Sequence, residues 1–193
     1  MKFKSLIPGI CIILMISFFS GCTENNSNNG TNSSSWIENY TPVHSVGTGT
    51  DDFWIVYPEI NPKIGTSVSH LDWVLESLHE GCVLFVVHRT GCVGCQAQAD
   101  RVISFAEQYH GQVEFYDLDI ASGGSIEHQA YDAYVYDPDG EPGYIALTGI
   151  ITLLEDNGNL VYGWHSWEGN VADDDMENWI KDGIYYYHIN NQG

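Results

Sequence analysis

Positive charge is what this sequence has least of. Six Lys and Arg stand against 26 Asp and Glu in 193 residues, a formal net charge of −20. Lys2 and Lys4 are two of the six, and residues 1–21 hold no acid. The remainder therefore carries four cations against the same 26 acids, or −22. Such a surface repels phosphate backbones, which argues against general nucleic-acid binding. It also lacks the basic clusters that dock on anionic lipid. It stays soluble and self-repelling, and it attracts cationic partners. Cysteine is scarce too. Of the five, Cys11, Cys22 and Cys82 stand apart, and only Cys92 and Cys95 lie at redox spacing, so a scaffold stapled by several disulfides is excluded. The apolar run at the start, Leu6–Phe19, is 14 residues, short of the roughly 20 that span a bilayer as a helix. Apolar side chains are not lacking. At 44% of the chain, with 13% aromatic, they suffice for a core and exclude wholesale disorder. The length fits one domain plus accessories.

The first 22 residues, MKFKSLIPGICIILMISFFSGC, have the layout of an export signal: a short basic start, an apolar middle and small residues before a cysteine. Phe19-Ser20-Gly21-Cys22 resembles the lipobox of prokaryotic lipoproteins, with Phe19 where Leu is usual. That resemblance implies cleavage before Cys22 and lipid attachment to its thiol. It places the rest of the chain at the cell membrane, lipid-anchored and facing outside the cytoplasm. Residues 23–35, TENNSNNGTNSSS, are too polar to bury. Residues 22–50 are accordingly read as a flexible Asn/Ser/Thr/Gly-rich tether, between a signal peptide at 1–21 and a globular domain at 51–193. Asn25, Asn29, Asn32 and Asn39 each begin an Asn-x-Ser/Thr triplet, a weak glycosylation signal.

From Asp51 the composition changes. Residues 52–58 (DFWIVYP) read as a strand ended by proline. Val68, Leu71, Val74, Leu75 and Leu78 recur at helical spacing, which predicts a helix over 67–80, capped by Ser67 or Ser69. CVLFVVH at 82–88 is a short continuous apolar run and predicts a strand buried on both faces. A helix follows over 96–109, then an alternating strand over 112–120 and a helical stretch over 125–136. IITLLE at 150–155 and LVYGW at 160–164 flank Asp156-Asn157-Gly158-Asn159, a hairpin signal. Residues 173–187 predict a final helix whose acidic first turn suits the helix dipole.

Cys92-Val93-Gly94-Cys95 stands where the buried strand meets the helix after it. A helix N-terminus offers unpaired N–H groups and partial positive charge, which stabilise a thiolate. A second cysteine three residues on lies within one turn and can attack a mixed disulfide formed by the first. This spacing beside a βαβ pattern marks a reversible dithiol/disulfide couple. Over roughly residues 67–188 the chain resembles the thioredoxin superfamily. CVLFVVHRTGCVGC matches its strand, loop and active-site helix start, and ITLLEDNGNLVYGW its later hairpin. The resemblance implies an α/β, thioredoxin-like three-layer sandwich, a mixed central sheet with helices on both faces. It implies Cys92 as the exposed nucleophile and Cys95 as the buried resolving thiol.

The departures from the family matter. Gly91 stands where thioredoxins have tryptophan, and Val86 where they have a buried acid. Asp117, on the next strand, is a candidate to replace that acid as a proton relay. His88, just upstream of Cys92, is a candidate for tuning the thiol. The family's cis-proline before the hairpin threonine maps to Ile151, preceding Thr152, which marks Ile151 and Thr152 as the substrate-binding loop. A cis bond before a non-proline residue costs about 2.5–4 kcal/mol, so that loop is expected to be trans or rearranged. Residues 119–151 exceed the matching stretch of a minimal thioredoxin, and the extra loop around Tyr136–Tyr144 is placed to select partners. Cys82 reads as an inert buried thiol.

These readings converge on a membrane-tethered extracytoplasmic thiol-disulfide oxidoreductase. Its partners are exported protein substrates and a membrane or extracytoplasmic redox partner. Two alternatives stay open: a non-catalytic thioredoxin-like interaction domain, and a copper- or zinc-binding chaperone using the same cysteines. No Gly-rich phosphate loop stands out, and neither a nucleotide or flavin cofactor nor a resident metal is implied.

Overall fold

A computed structural model describes residues 35–141 and 143–192. The signal at 1–21, Cys22, the tether up to residue 34 and Asn25, Asn29 and Asn32 lie outside the described residues. Six strands form one mixed sheet: β1 (Ser45–Gly47), β2 (Asp52–Trp54), β3 (Cys82–His88), β4 (Val113–Asp119), β5 (Leu147–Asp156) and β6 (Asn159–Glu168). Their spatial order is β1-β2-β6-β5-β3-β4. β3 pairs parallel with β4 and antiparallel with β5, and β5 pairs antiparallel with β6. Four helices cover the sheet: α1 (Asp72–Ser77), α2 (Val93–Gln108), α3 (Gly124–Asp132) and α4 (Asp173–Asn190).

The strand alternation explains the layering. Every residue of β3 is buried, and its neighbours in sequence face opposite sides. Cys82, Leu84 and Val86 pack with Ala99 and Val102 of α2 and with Met176 and Ile180 of α4. Val83, Phe85 and Val87 pack with Val74 of α1, Ala130 of α3 and the following turn at Ala133–Tyr136. The fold is therefore the expected thioredoxin-like α/β sandwich, with helices on both faces of a mixed sheet.

The hairpin turns at Asn157-Gly158, where both residues have positive φ (51° and 81°), the geometry that two-residue hairpin loops need. Its strands run further than the apolar pattern indicates, to Leu147 on one side and Glu168 on the other. Helix α1 is shorter than the predicted 67–80. Ser67 is held in a bridge to Val56, and Leu71 is still extended, so the helix begins only at Asp72.

The tether ends earlier than composition suggests. Ile37 sits in a short 3₁₀ turn and is buried, while Trp36 Nε1 donates to Gln112. The carboxylate of Asp182, fully buried on α4, gathers the next segment. It accepts the Tyr40 hydroxyl at 2.6 Å, the Val43 amide at 3.1 Å and the His44 amide at 2.7 Å. His44 Nδ1 lies 2.7 Å from the same carboxylate. The His44 ring stacks on one side of Trp179, and His165 stacks on Trp179 as well, at centroid distances of 3.4 and 3.5 Å. Residues 36–50 thus belong to the domain, and β1 adds an edge strand parallel to β2. Among the described residues no helix is long and apolar enough to cross a membrane.

Candidate active site

The C-terminal end of β3 aims the chain at the start of α2. Between them the loop Arg89–Gly91 is pinned from β4. Asp119 accepts the Thr90 amide at 3.1 Å, the Thr90 hydroxyl and the Ala121 amide at 2.8 Å. Burial pushes the Asp119 carboxyl up, but these hydrogen bonds and nearby His88 outweigh it and hold it below its ordinary range. Gly91 has φ of +84°, a conformation that an L side chain rarely adopts. That conformation is the local reason for glycine where the resemblance puts tryptophan.

Cys92 is the N-cap of α2, and its carbonyl accepts the amides of Cys95 and Gln96. Cys92 and Cys95 are joined as a disulfide, their Cα atoms 5.4 Å apart. Cys92 is half-buried and Cys95 fully buried, while Val93 between them is 94% exposed. The two sulfurs are therefore unequal. Of the two, Cys92 lines an open recess of about 510 Å³ walled by Arg89, Thr90, Gly91 and Ile145.

The two candidate proton groups come together. His88 Nε2 lies 2.6 Å from Asp117 Oδ1, with His88 buried and the Asp117 side chain 48% exposed. His88 Nδ1 is buried without a partner among the described residues. By the period-two rule His88 shares the face of Val86, which packs in the same cluster as Cys95. Asp117 pairs with Val86 across the parallel register. The position of the family's acid is thus apolar, and the pair stands beside it.

Ile151 and Thr152 are not a loop. They lie inside β5, fully buried, with Ile151 between Val83 and Trp164 and Thr152 Oγ1 donating to Gly183 O at 2.6 Å. No partner can reach them. The segment beside Cys92 comes earlier, at Tyr144–Ala146, and its Ile145–Ala146 peptide is cis. This segment is clamped to the end of β6. The Tyr144 amide donates to Glu168 at 2.6 Å, and the Gly169 amide donates to Ala146 O at 2.8 Å. Burial, with the charges of Asp137 and Asp139, raises the Glu168 carboxyl.

Two positioning residues escaped the sequence reading. One is Asp119. The other is Gln98, fully buried, which donates to Thr148 Oγ1 at 3.1 Å and accepts the Val171 amide at 3.1 Å. Its spacing of three from Cys95, on an otherwise apolar helix face, was the available signal. Cys82 is fully buried as expected, donates to Ile151 O at 3.3 Å and has its thiol pushed up by burial. Among the described residues no three His, Cys, Asp or Glu side chains are grouped to hold a metal ion.

No family profile matches the chain, and no curated protein matches it in sequence. Solved structures similar to it include chloroplastic thioredoxin z, at 17% identity with a TM-score of 0.37, covering 58% of this chain and 85% of that one. The thioredoxin of Trichomonas vaginalis is 20% identical with a TM-score of 0.34, covering 58% and 83%. Thioredoxin O2 from Arabidopsis thaliana, in its oxidized state, is 11% identical with a TM-score of 0.35, covering 56% and 84%. This chain's own strand order, its parallel β3–β4 pair and its antiparallel β3–β5–β6 set make the fold thioredoxin-like.

Proposed function

We propose that the chain is a thiol-disulfide oxidoreductase acting on exported proteins and held at the outer side of the cell membrane through a lipid on Cys22. The observation that carries the redox reading is the Cys92–Cys95 disulfide at the start of α2, with one sulfur open to a recess and the other buried. In the reducing direction the Cys92 thiolate attacks one sulfur of a substrate disulfide. A mixed disulfide forms and one substrate thiolate leaves. Cys95 then loses its proton and attacks the Cys92 sulfur, which releases the second substrate thiolate and closes the Cys92–Cys95 disulfide. Two electrons pass to the substrate, and the reverse sequence oxidises substrate thiols. The helix N-terminus stabilises the Cys92 thiolate as nucleophile and as leaving group.

Buried Cys95 needs a proton acceptor on the inner side of α2. The His88–Asp117 pair supplies it, His88 from within and Asp117 as the outlet to solvent. Mixed-disulfide trapping tests the reading. Cys95→Ser accumulates covalent adducts with partner proteins, and Cys92→Ser loses turnover. Full insulin reduction and thiol oxidation by Cys92→Ser overturns it. Release of the protein from the membrane fraction on Cys22→Ser tests the anchor separately.

A further inference from the structure

Beside the recess over Cys92 lies a second, larger hollow of about 700 Å³. It forms where the segment after β2, around Tyr57 and Lys63, meets the long connection between β4 and β5. Tyr57, Lys63, Tyr131, Tyr134, Val135 and Ile145 are among its walls. Ile145 also walls the recess over Cys92. The two spaces therefore meet at one side chain, and a chain that brings a sulfur to Cys92 passes its neighbouring residues along Ile145.

Several polar groups of the walls are already engaged: Asn61 with the Asp137 and Pro138 carbonyls and the Lys63 amide, and Asp137 with the Asp139 and Gly140 amides. The Tyr57 hydroxyl is spent on Val135 O at 3.0 Å, and that of Tyr134 on Tyr144 O at 3.3 Å. Lys63 Nζ lies 5.1 Å above the Tyr57 ring. What remains for a guest is ring and aliphatic surface, with Lys63 and Glu141 as charged groups in its lining. Tyr131 stands at this hollow 57% exposed, a large aromatic left largely uncovered. Ring surface of this kind favours an aromatic partner through edge-to-face and offset contacts, beyond the gain from burial alone.

We infer that this hollow is a specificity subsite that receives an aromatic side chain of the substrate protein, a few residues from the cysteine that reacts with Cys92. The inference rests on the proposed role of Cys92 as the attacking sulfur. It gives the connection between β4 and β5 a task, selection of substrates by the residue flanking their cysteine. Extended chain advances about 3.3–3.6 Å per residue, so positions one to four residues from the cysteine are the ones to probe.

The test uses the reduced full-length protein and synthetic disulfide-linked peptides carrying Phe, or Ala in its place, at one to four positions on either side of the cysteine. A small symmetric disulfide, 2-hydroxyethyl disulfide, serves as a substrate with nothing to place in the hollow. The expected result is a kcat/KM at least about tenfold higher for the best Phe peptide than for its Ala counterpart, since a single methylene in an apolar pocket already gives about that much. Tyr131→Ala and Val135→Ala remove that preference and leave the rate on the small disulfide unchanged. Equal rates for Phe and Ala peptides, with the small disulfide turned over normally, overturn the subsite alone. So does a preference that survives both substitutions. Failure to turn over any of the disulfides overturns the oxidoreductase reading and the subsite with it.

Discussion

His88 and Asp117 lie 29 residues apart in sequence, yet their side chains meet at 2.6 Å on the sheet face that α2 covers. Val86, where the resemblance puts a buried acid, is apolar, and in the proposed mechanism this pair takes the proton from Cys95. Asp117→Asn should slow release of the mixed disulfide several-fold while leaving the first attack by Cys92 intact. Stopped-flow measurement of the two steps, with the pH profile of the second, separates this from a general loss of structure. His88→Ala should move the same step.

The three cysteines of the folded domain should differ sharply in reactivity once the disulfide is reduced. Cys92 is half-buried at the helix N-terminus and should alkylate first. Cys82 is fully buried, with its thiol pushed up by that burial, and should react only on unfolding. Peptide mapping by mass spectrometry after a timed alkylation reads each cysteine separately. Modification of Cys82 at the rate of Cys92 would contradict the packing described.

The domain should be sensitive to acid. Burial lowers His165 to about 3 and His70 to about 4, against about 6.5 in an unfolded chain. The unfolded state therefore takes up protons that the folded state refuses. Stability from these groups is complete above about pH 6.5 and falls as the pH drops toward 4, by up to about 1.4 kcal/mol per pH unit for each. The urea midpoint followed from pH 7.5 to 4 should decline, and the decline should flatten in His165→Gln. A midpoint independent of pH over that range would contradict it.

Asp182→Ala should strip the carboxylate from the Tyr40 hydroxyl, the Val43 and His44 amides and the His44 ring. Leaving such donors without a buried partner costs about 1–3 kcal/mol each at most. A lowered urea midpoint is expected, with faster hydrogen exchange at the Val43 and His44 amides. Tryptophan fluorescence should shift as His44 leaves Trp179.

Much of the frame was legible because it is written in short-range pattern. The apolar run 82–88 became β3 without a change of boundary, the glycine-led turn at 157–158 became the hairpin, and the Cys92–Cys95 spacing fell at a helix start. What failed was register and distance. An apolar residue followed by Thr occurs at Leu147-Thr148 as well as at Ile151-Thr152, both within β5, so local sequence could not say which end lay beside Cys92. Asp119 and Asp182 act on segments 29 or more residues away, and nothing in their immediate neighbours marks either as a buried or pinning acceptor. Residues 36–50 looked like tether because their partners are contributed by α4, β2 and Gln112, which composition does not show.

The Asp182 cluster also bears on where the domain can be cut. A fragment begun at Asp51, where composition changes, would discard Ile37, the donors to Asp182 and edge strand β1, and would uncover the Trp179 ring that His44 shields. The smallest piece expected to behave as the intact domain begins before Trp36. Fifteen residues that look expendable by composition thus set the limit of what can be expressed and studied alone.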